Sequence, residues 1–416
     1  VAMHKGIVAT CFALLAVATA VPAVVPDSPD VPPLFELVAD RSLDRLQHQH
    51  EVVLEKLPGS AELHRVRVPD GVSSIARQES ILINDLPSFE KGSMGGVILK
   101  RTAMKVGRKS TFTWRGVAED GKASATLVGG GSDLTGTVRV GHSLWTVRPL
   151  GEGVQALILQ NQSALPQDCP SHASPKLVGD KPPVLSGVDG DNEVVEQTVV
   201  VAYTPAAVQE IGGNVDAFVQ LAEDETNEQY ENSNINIRLR IVEAYQTNYT
   251  EYSLETDLDR FRKKNDGYMD EVHSIRNQHH ANMAVLLMAT SPIACGVASA
   301  IMADTATAFC TATVPCATGY YTFGHELGHL QGARHNPAKD PSTRPFPYGH
   351  GHVIRSGEYR SVMCYNENGE TRVPYWSNPD VSFAGAPTGV SDSDNARVLR
   401  ETAKEVASWC VKESCD

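Results

Sequence analysis

The sequence has few basic residues and few long apolar runs. Its 416 residues contain 36 Lys and Arg against 50 Asp and Glu, which gives a net charge of −14 and a pI near 5.5. A negative field of this kind repels nucleic acids and anionic membranes, so we expect neither as a partner. No run after residue 20 is apolar and long enough to span a bilayer, and we expect no membrane anchor.

Cysteine is also scarce, and its eight copies are unevenly distributed. Cys11 lies in an N-terminal apolar run and Cys169 stands alone in the middle of the chain. The remaining six form an even set that can close three disulfides in an oxidising compartment. They are Cys295, Cys310, Cys316, Cys364, Cys410 and Cys415. Their spacing does not define which of them pair.

A short apolar run near the N-terminus predicts secretion. Lys5 precedes the run, residues 7–17, and Ala18-Thr19-Ala20 fits a signal-peptidase site. The run is too short to cross a bilayer, and Pro22 follows at once. We therefore expect residues 1–20 to be a signal peptide and the protein to be secreted. A buried helix is the alternative.

What the chain does contain is a dense histidine motif, YTFGHELGHLQGARH, at residues 321–335. In an α-helix, residues four apart lie on one face about 6 Å apart along the axis, so His325 and His329 can aim at one point. Glu326 falls beside that point, where a carboxylate can accept a proton from water. The alternative is a histidine-containing helix that arose by composition.

A third histidine follows the expected end of this helix. Gly332 can close the helix in a left-handed cap that other residues resist, and the chain can then return His335 to the same point. Three imidazoles with an open fourth position are typical of a catalytic zinc site. We therefore expect one catalytic Zn²⁺. Neither His350 nor His352 is needed as a ligand.

The first part of the chain is predicted to be rich in β-structure. Short alternating runs between residues 97 and 160, separated by turns such as Asp120-Gly121, predict an antiparallel meander or small sandwich. A helix-like stretch lies earlier, near residues 37–56. We expect residues 21–162 to form a propeptide containing this meander. Residues 163–193, rich in Pro, Ser, Asp and Gly, are expected to form a linker.

From residue 194 onward, strand patterns alternate with helix patterns. The expected strands are residues 199–203, 235–245, 283–289, 296–302 and 308–314. The expected helices are residues 214–232, 254–279 with an interruption at Asp266-Gly267, and 395–410. This order predicts an α/β domain over residues 194–416, with long helices and a mostly parallel twisted sheet.

The histidine motif resembles that of the metzincin metalloproteases, in which a methionine-bearing turn follows the zinc helix. The segment SVMCY, residues 361–365, supplies such a turn. The resemblance implies a zinc endopeptidase in which Glu326 acts as general base and then acid, while Met363 has a structural role. It also implies that Tyr365 binds zinc or donates to the oxyanion, as in astacins and serralysins. A tyrosine in the wall of the site is the alternative.

Several segments together resemble the peptidyl-Asp metallopeptidases, a family of secreted metzincins. They are residues 323–335, 348–351, 361–365, 375–379 and 395–399. The family prefers to cleave on the N-terminal side of Asp, which implies protein or peptide substrates and a cation in the pocket for the residue after the bond. Arg360 and Arg372 flank the methionine turn and are the candidates. Asn336 departs from the family pattern, where Asp is expected.

Cys169 lies just upstream of the expected catalytic domain. In that position it resembles the cysteine switch of matrix and adamalysin-type metzincins. There a thiolate takes the fourth zinc position and keeps the enzyme latent until the segment is removed. The resemblance implies that Cys169 is a metal ligand in the latent form only. A disulfide partner or an inert thiol is the alternative.

Two further functions compete with the endopeptidase. One is a catalytically silent metzincin-like binding module, which loss of Glu326 would have favoured. The other is a zinc hydrolase acting on a non-peptide amide. The sequence does not indicate a structural calcium site or an oligomeric state.

Overall fold

The computed structural model describes residues 31–38, 43–84, 86, 96–169, 176–177, 193–354 and 358–410. The expected signal peptide and most of the expected linker lie outside these residues. Among the helices that are described, none combines the length and the apolar character that a membrane crossing requires.

The N-terminal part of the chain folds around one antiparallel sheet, which we call the N-terminal sheet. Its elements are β1 Glu36–Leu37, α1 Arg45–Glu55, β2 Ser60–Arg67, β3 Ser80–Ile83, β4 Val97–Val106, β5 Phe112–Val117, β6 Ala123–Gly130, β7 Asp133–Val140, β8 Ser143–Gly151 and β9 Val154–Gln160. The strand order is β1-β2-β9-β8-β7-β6-β5-β4-β3. Tight turns such as Asp120-Gly121, with Gly121 at φ +69°, connect successive strands.

The meander from β3 to β9 follows the chain order, whereas β2 and β1 extend the sheet beyond β9. All eight neighbouring pairs are antiparallel. Trp114 and Trp145 are fully buried in the main core of this sheet. Alternation predicted the meander, but the pairing of β2 with β9 joins segments that are distant in sequence and carry no local signal.

The C-terminal part folds around a second sheet. Its elements are β11 Val195–Tyr203, α2 Pro205–Ile211, α3 Val215–Asn232, β12 Ile237–Gln246, α4 Leu254–Arg262, α5 Glu271–Gln278, β13 Met283–Met288, β14 Gly296–Ala298, β15 Ala300–Ile301, β16 Phe309–Thr313, α6 Val314–Ala317, α7 Thr322–Leu330, β17 Val353–Ile354, β18 Tyr359–Arg360, β19 Thr371–Arg372, β20 Ser382–Phe383, β21 Ala386–Pro387 and α8 Asn395–Ser408. A short β10, Lys176–Leu177, pairs with β15.

Five strands form the central sheet of this part, in the order β12-β11-β13-β16-β14. The first three pairings are parallel, and the edge strand β14 is antiparallel to β16. Every residue of β13 is buried, because Val285 and Leu287 pack with one core cluster and Ala284 and Leu286 with another. A strand covered on both faces reads as a continuous apolar run, as β13 does.

The predicted interruption at Asp266-Gly267 is present and separates α4 from α5. Gly267 has φ +85°, a conformation that glycine adopts without strain. The backbone amides of both residues donate to the carboxylate of Asp270, at 3.3 and 3.0 Å. A turn stabilised by the side chain of Asp270 therefore separates two shorter helices.

Helix α3 lies between the two sheets. Three threonines on neighbouring strands of the N-terminal sheet donate to three buried carboxylates of α3. The pairs are Thr113 with Asp224 at 2.5 Å, Thr126 with Glu228 at 3.1 Å and Thr137 with Glu225 at 2.8 Å. The two parts of the chain are thus joined by hydrogen bonds to buried acidic groups, which need such partners.

The six C-terminal cysteines do not form the three disulfides that their even number allows. Cys295 and Cys316 are bonded to each other, and Cys410 is also in a disulfide. Cys310 and Cys364 are free thiols, and both are buried. An even count allows complete pairing but does not bring each cysteine within bonding distance of another.

Candidate metal centre

Helix α7 carries the first two histidines of the motif. His325 and His329 lie one turn apart, and neither is exposed to solvent. The chain leaves the helix at Gly332, where φ is +104° and a Cβ would lie 3.0 Å from the ring of Phe346. The amide of Gly332 donates to the carbonyl of His329 at 2.9 Å. Glycine is required there by both the backbone angle and the close contact.

The turn after Gly332 returns His335 to the helix. Its Nε2 lies 3.2 Å from Nε2 of His325 and 3.0 Å from Nε2 of His329. Zinc–nitrogen bonds of 2.0–2.1 Å in tetrahedral geometry place ligand nitrogens about 3.3 Å apart. The spacing of the three nitrogens therefore fits a single zinc ion.

The hydrogen bonds of the rings direct their lone pairs to the common point. Nδ1 of His325 donates to the carbonyl of Val362 and Nδ1 of His329 to that of Ala333, each at 2.9 Å. Burial lowers the pKa of His325 to about 3 and that of His329 to about 4, so both rings are neutral near pH 7. The Nε2 atoms of His325 and His329 therefore each present a lone pair, and lone pairs that converge in this way can bind one cation.

Cys169 is the fourth member of the cluster. It and the three histidines each offer one ligand atom, and these atoms all lie within 4.8 Å of one another. Its Sγ is 3.5 Å from Nε2 of His329, against about 3.6 Å for two ligands of one tetrahedral zinc ion. Burial raises the pKa of the thiol, and the charges of Glu326 and Asp168 raise it further. A cation in the cluster is what would favour the thiolate.

Glu326 follows the first histidine and faces the sulfur of Cys169, with both carboxylate oxygens 3.9 Å from Sγ. Burial raises its pKa well above the usual range, and the charge of Asp168 adds to the effect. Its side chain packs against Gly296 on the edge strand β14. A Cβ on Gly296 would lie 2.8 Å from Oε1 of Glu326, so this glycine makes room for the carboxylate.

The methionine turn lies beneath the histidines. Met363 is fully buried, and its Sδ would be 3.2 Å from a Cβ on Gly328 of the helix. The preceding residue, Val362, accepts the hydrogen bond of His325. The turn therefore both packs under helix α7 and orients one ring of the cluster.

Tyr365 covers the cluster on another side. Its ring stacks on His335 with centroids 4.1 Å apart, and its hydroxyl donates to the carbonyl of Cys169 at 3.3 Å. Its backbone amide donates to Oδ1 of Asn336 at 3.1 Å. Asn336 therefore positions Tyr365, a role that needs an accepting oxygen, which Asn and Asp both have.

The two candidate arginines differ in what they bind. Both are fully buried. Arg360 donates to the hydroxyl of Tyr320 at 2.8 Å and to the main-chain carbonyls of Glu370, at 3.2 Å, and Cys364. Arg372 donates through Nη1 to Oδ1 of Asp168 at 2.8 Å, and through Nη2 to its other oxygen. Of the two, Arg372 is the one that binds a carboxylate.

Burial alone would raise the pKa of Asp168, but the charge of Arg372 outweighs that effect and holds it below its usual range. Sequence reasoning missed this residue, although an acidic neighbour of the candidate switch cysteine was a usable signal. It also missed Thr322, whose hydroxyl donates to Asp168 at 3.0 Å. His350 is not in the cluster, but its Nδ1 donates to the carbonyl of His335 at 2.8 Å and helps to position that loop.

Comparison with known proteins gives the family. A sequence profile described as metallo-peptidase family M12 matches residues 195–377. A peptidyl-Asp metalloendopeptidase of Xanthomonas campestris pv. campestris is 42% identical over 292 residues, which cover 69% of this chain and 70% of that protein. Enzymes of the same name from Stenotrophomonas maltophilia strains R551-3 and K279a are 36% and 35% identical, and each alignment covers 91% of this chain and 94% of the relative.

These matches and the zinc-compatible cluster identify an enzyme rather than a silent binding module. The M12 match also identifies the C-terminal part as a metzincin-like catalytic domain, which the β-rich region precedes. The chain belongs to the peptidyl-Asp metalloendopeptidase family and is a zinc metalloendopeptidase.

Proposed function

We propose that this endopeptidase is secreted as a zymogen and that the released enzyme prefers Asp after the scissile bond. In this proposal residues 1–20 are the signal peptide, 21–162 the propeptide, 163–193 the linker and 194–416 the catalytic domain. The observation that carries the proposal is the position of Cys169, whose Sγ lies 3.5 Å from Nε2 of His329, where a substrate would have to approach the metal.

The histidines would hold the metal, and Cys169 would take its fourth position in the zymogen. When bound, zinc polarises the scissile carbonyl and lowers the pKa of a water ligand to about 7. Glu326 accepts the proton of the attacking water and later gives it to the leaving amine. The hydroxyl of Tyr365, which donates to the carbonyl of Cys169 in the zymogen, donates to the carbonyl oxygen of the substrate in the released enzyme.

The edge strand β14 supports binding of an extended peptide beside this machinery. The amides of Cys295 and Gly296 donate to the carbonyls of Gln167 and Asp168, at 2.8 and 2.9 Å. Removal of the segment that contains Gln167, Asp168 and Cys169, which we call the zymogen segment, frees both amides. A substrate can then make main-chain hydrogen bonds at the same edge.

Two observations support secretion. The apolar run at residues 7–17 ends at a small-residue cleavage site. The bond between Cys295 and Cys316 is of a kind that persists in oxidising compartments. The preference for Asp is supported by the names of the relatives and by Arg372, which already binds a carboxylate next to the cluster.

The decisive test is Cys169→Ala in the full, zinc-loaded chain. We expect the unprocessed variant to cleave a peptide substrate at least tenfold faster than the unprocessed wild type, because the fourth zinc position is then open. Cys310→Ala, which removes a buried thiol from β16, is the matched control and should stay latent. Glu326→Gln should abolish cleavage in either background while zinc content stays the same.

Equal cleavage by the unprocessed and the released wild type would overturn the zymogen proposal. Latency in Cys169→Ala equal to that of the wild type, at equal zinc content, would overturn the role of Cys169 in it. Cleavage by Glu326→Gln at the rate of the wild type would overturn the assigned role of that carboxylate. Retention of the intact N-terminus on protein exported by a secreting host would contradict the signal peptide.

A further inference from the structure

The side chain of Asp168 fills a closed polar pocket. Its Oδ1 accepts from Nη1 of Arg372 at 2.8 Å and from Oγ1 of Thr322 at 3.0 Å, and its Oδ2 accepts from Nη2 of Arg372. Asp168 is 1% exposed, and the other two residues are not exposed at all. A two-pronged guanidinium contact with an added hydroxyl donor matches the planar geometry of a carboxylate.

The walls of this pocket belong to the C-terminal part of the chain. The guanidinium of Arg372 lies over the ring of Tyr320, 4.3 Å from its centroid. It also donates to the carbonyls of Tyr320 at 2.9 Å and Cys364 at 3.3 Å. Thr322 is the first residue of helix α7, three residues before His325. Each of these contacts is made within the C-terminal part of the chain.

The pocket lies one residue away from the metal cluster. Asp168 directly precedes Cys169, whose Sγ belongs to the cluster, and the carbonyl of Asp168 is bonded to the amide of Gly296 on the edge strand. In a substrate bound at this edge with its scissile carbonyl at the cluster, the residue next to the scissile bond also lies one residue away from the cluster. The pocket is therefore placed to bind the side chain of that residue.

In an empty pocket the charge of Arg372 would lose the carboxylate that neutralises it. Two main-chain carbonyls satisfy part of its hydrogen-bonding capacity but do not neutralise its charge. A largely buried guanidinium without an anion is unfavourable, so the pocket selects for a carboxylate once the zymogen segment has left.

We propose that Arg372 and Thr322 form the specificity pocket for the aspartyl side chain of substrates, and that Asp168 fills this pocket in the zymogen as a built-in substrate mimic. The inference rests on the proposed Asp-directed endopeptidase function and names its determinants. A glutamate would place its carboxylate about 1.5 Å further from the main chain. An asparagine would turn an amide donor towards the donors of the pocket.

The inference also sets the direction of the zymogen segment. In a substrate cut before Asp, the Asp follows the residue whose carbonyl is attacked, whereas Asp168 precedes Cys169. The segment therefore runs across the site in the opposite direction to a substrate. It presents a thiol to the cluster in place of a scissile carbonyl and is not cleaved there.

The test compares two peptides that differ only in the residue after the scissile bond, Asp or Ala. Both are given to the zinc-loaded enzyme released from the full chain by limited proteolysis, and kcat/KM is measured for each. In Thr322→Val and in Arg372→Lys we expect the Asp-to-Ala ratio to fall at least tenfold. Valine keeps the shape of threonine without its hydroxyl, and lysine keeps the charge of arginine without its fork.

A matched control and a second measurement accompany this comparison. Thr226→Val removes a buried hydroxyl that donates only to Ala222 of its own helix, and should keep the ratio of the wild type. Asp168→Asn in the unprocessed chain, with Cys169 intact, should raise the activity of the zymogen at least tenfold at unchanged zinc content.

The outcomes separate the inference from the function on which it rests. An Asp-to-Ala ratio unchanged in Thr322→Val and Arg372→Lys overturns the inference and leaves the endopeptidase intact. Cleavage of neither peptide by the released wild type, or equal cleavage of both, contradicts the proposed function instead. If Arg372→Lys does not fold, Thr322→Val decides, since it changes one buried hydroxyl to a methyl group.

Discussion

Thr137 on strand β7 donates its hydroxyl hydrogen to Oε1 of Glu225 on helix α3, at 2.8 Å, across the junction between the N-terminal sheet and the C-terminal part. The amide of Gly319 donates to the other oxygen at 2.7 Å. Burial at this junction raises the pKa of Glu225 to about 7; the charge of Glu228 acts in the same direction and that of Arg148 against it.

The raised pKa makes stability depend on pH. Between about pH 4.5 and 7 the folded protein holds a proton on Glu225 that an unfolded chain has lost. The contribution of Glu225 to the stability of the fold is therefore complete below that range and is lost as the pH rises through it. Glu225→Gln removes the titration. Relative to wild type, the variant should therefore gain stability between about pH 5 and pH 8, on the order of 3 kcal/mol.

Thermal unfolding in a Glu326→Gln background, which prevents self-cleavage, measures this difference. The control is Glu55→Gln, which changes an exposed carboxylate at the end of α1. It should follow the pH profile of the wild type. A constant difference between Glu225→Gln and wild type across the range would contradict the prediction.

Gly296→Ala should impair catalysis. The new Cβ would lie 2.6 Å from the main-chain oxygen of Thr311 and 2.8 Å from Oε1 of Glu326, so both the pairing of β14 with β16 and the carboxylate must shift. Displacement of a catalytic group by about 1 Å can cost on the order of a hundredfold in rate. We expect kcat to fall by about that factor while zinc content is retained. Gly385→Ala, where a Cβ meets nothing within 4 Å, should leave kcat unchanged.

Zinc binding should release a proton from Cys169. The thiol is protonated at neutral pH without metal, whereas the ring nitrogens of His325 and His329 are already free. The unprocessed wild type should therefore release about one proton more per zinc than Cys169→Ala. Calorimetric titrations in buffers of different ionisation enthalpy measure the number. Equal proton release from the two proteins would argue against ligation by sulfur.

Loss of the bond between Cys295 and Cys316 should destabilise the fold. The bond closes a separation of 21 residues and packs with Leu165 and Tyr320. Replacing both cysteines with alanine should lower the free energy of unfolding by about 3 kcal/mol, because the unfolded chain regains the freedom of that loop. Denaturant unfolding in the Glu326→Gln background gives the value. Cys310→Ala should cost less, since it removes only a buried thiol.

Local patterns predicted the elements that position the site. The continuous apolar run at residues 283–288 forms strand β13. Helix α7 ends just before Gly332, whose positive φ suits glycine and turns the chain. The convergence of the three histidine rings follows from helix geometry and one turn, all within eleven residues of sequence. Short-range spacing is sufficient for such features, because the backbone between them has few alternatives.

Contacts between distant segments could not be predicted in this way. Asp168 and Arg372 are separated by 204 positions, and an aspartate in a stretch rich in Pro and Ser looks like part of a linker. The acidic residues of α3 gave no sign of burial, because Asp224 and Glu225 are of types that are ordinarily exposed. Only the N-terminal sheet, with its threonine donors, makes their burial favourable.

Asp168 and Cys169 are joined by a single peptide bond, and their Cα atoms are held about 3.8 Å apart. A movement of the backbone that withdraws the sulfur from the cluster therefore also moves the carboxylate away from Arg372. Departure of the segment would then open the metal position and the carboxylate pocket together, whereas Cys169→Ala opens the metal position alone.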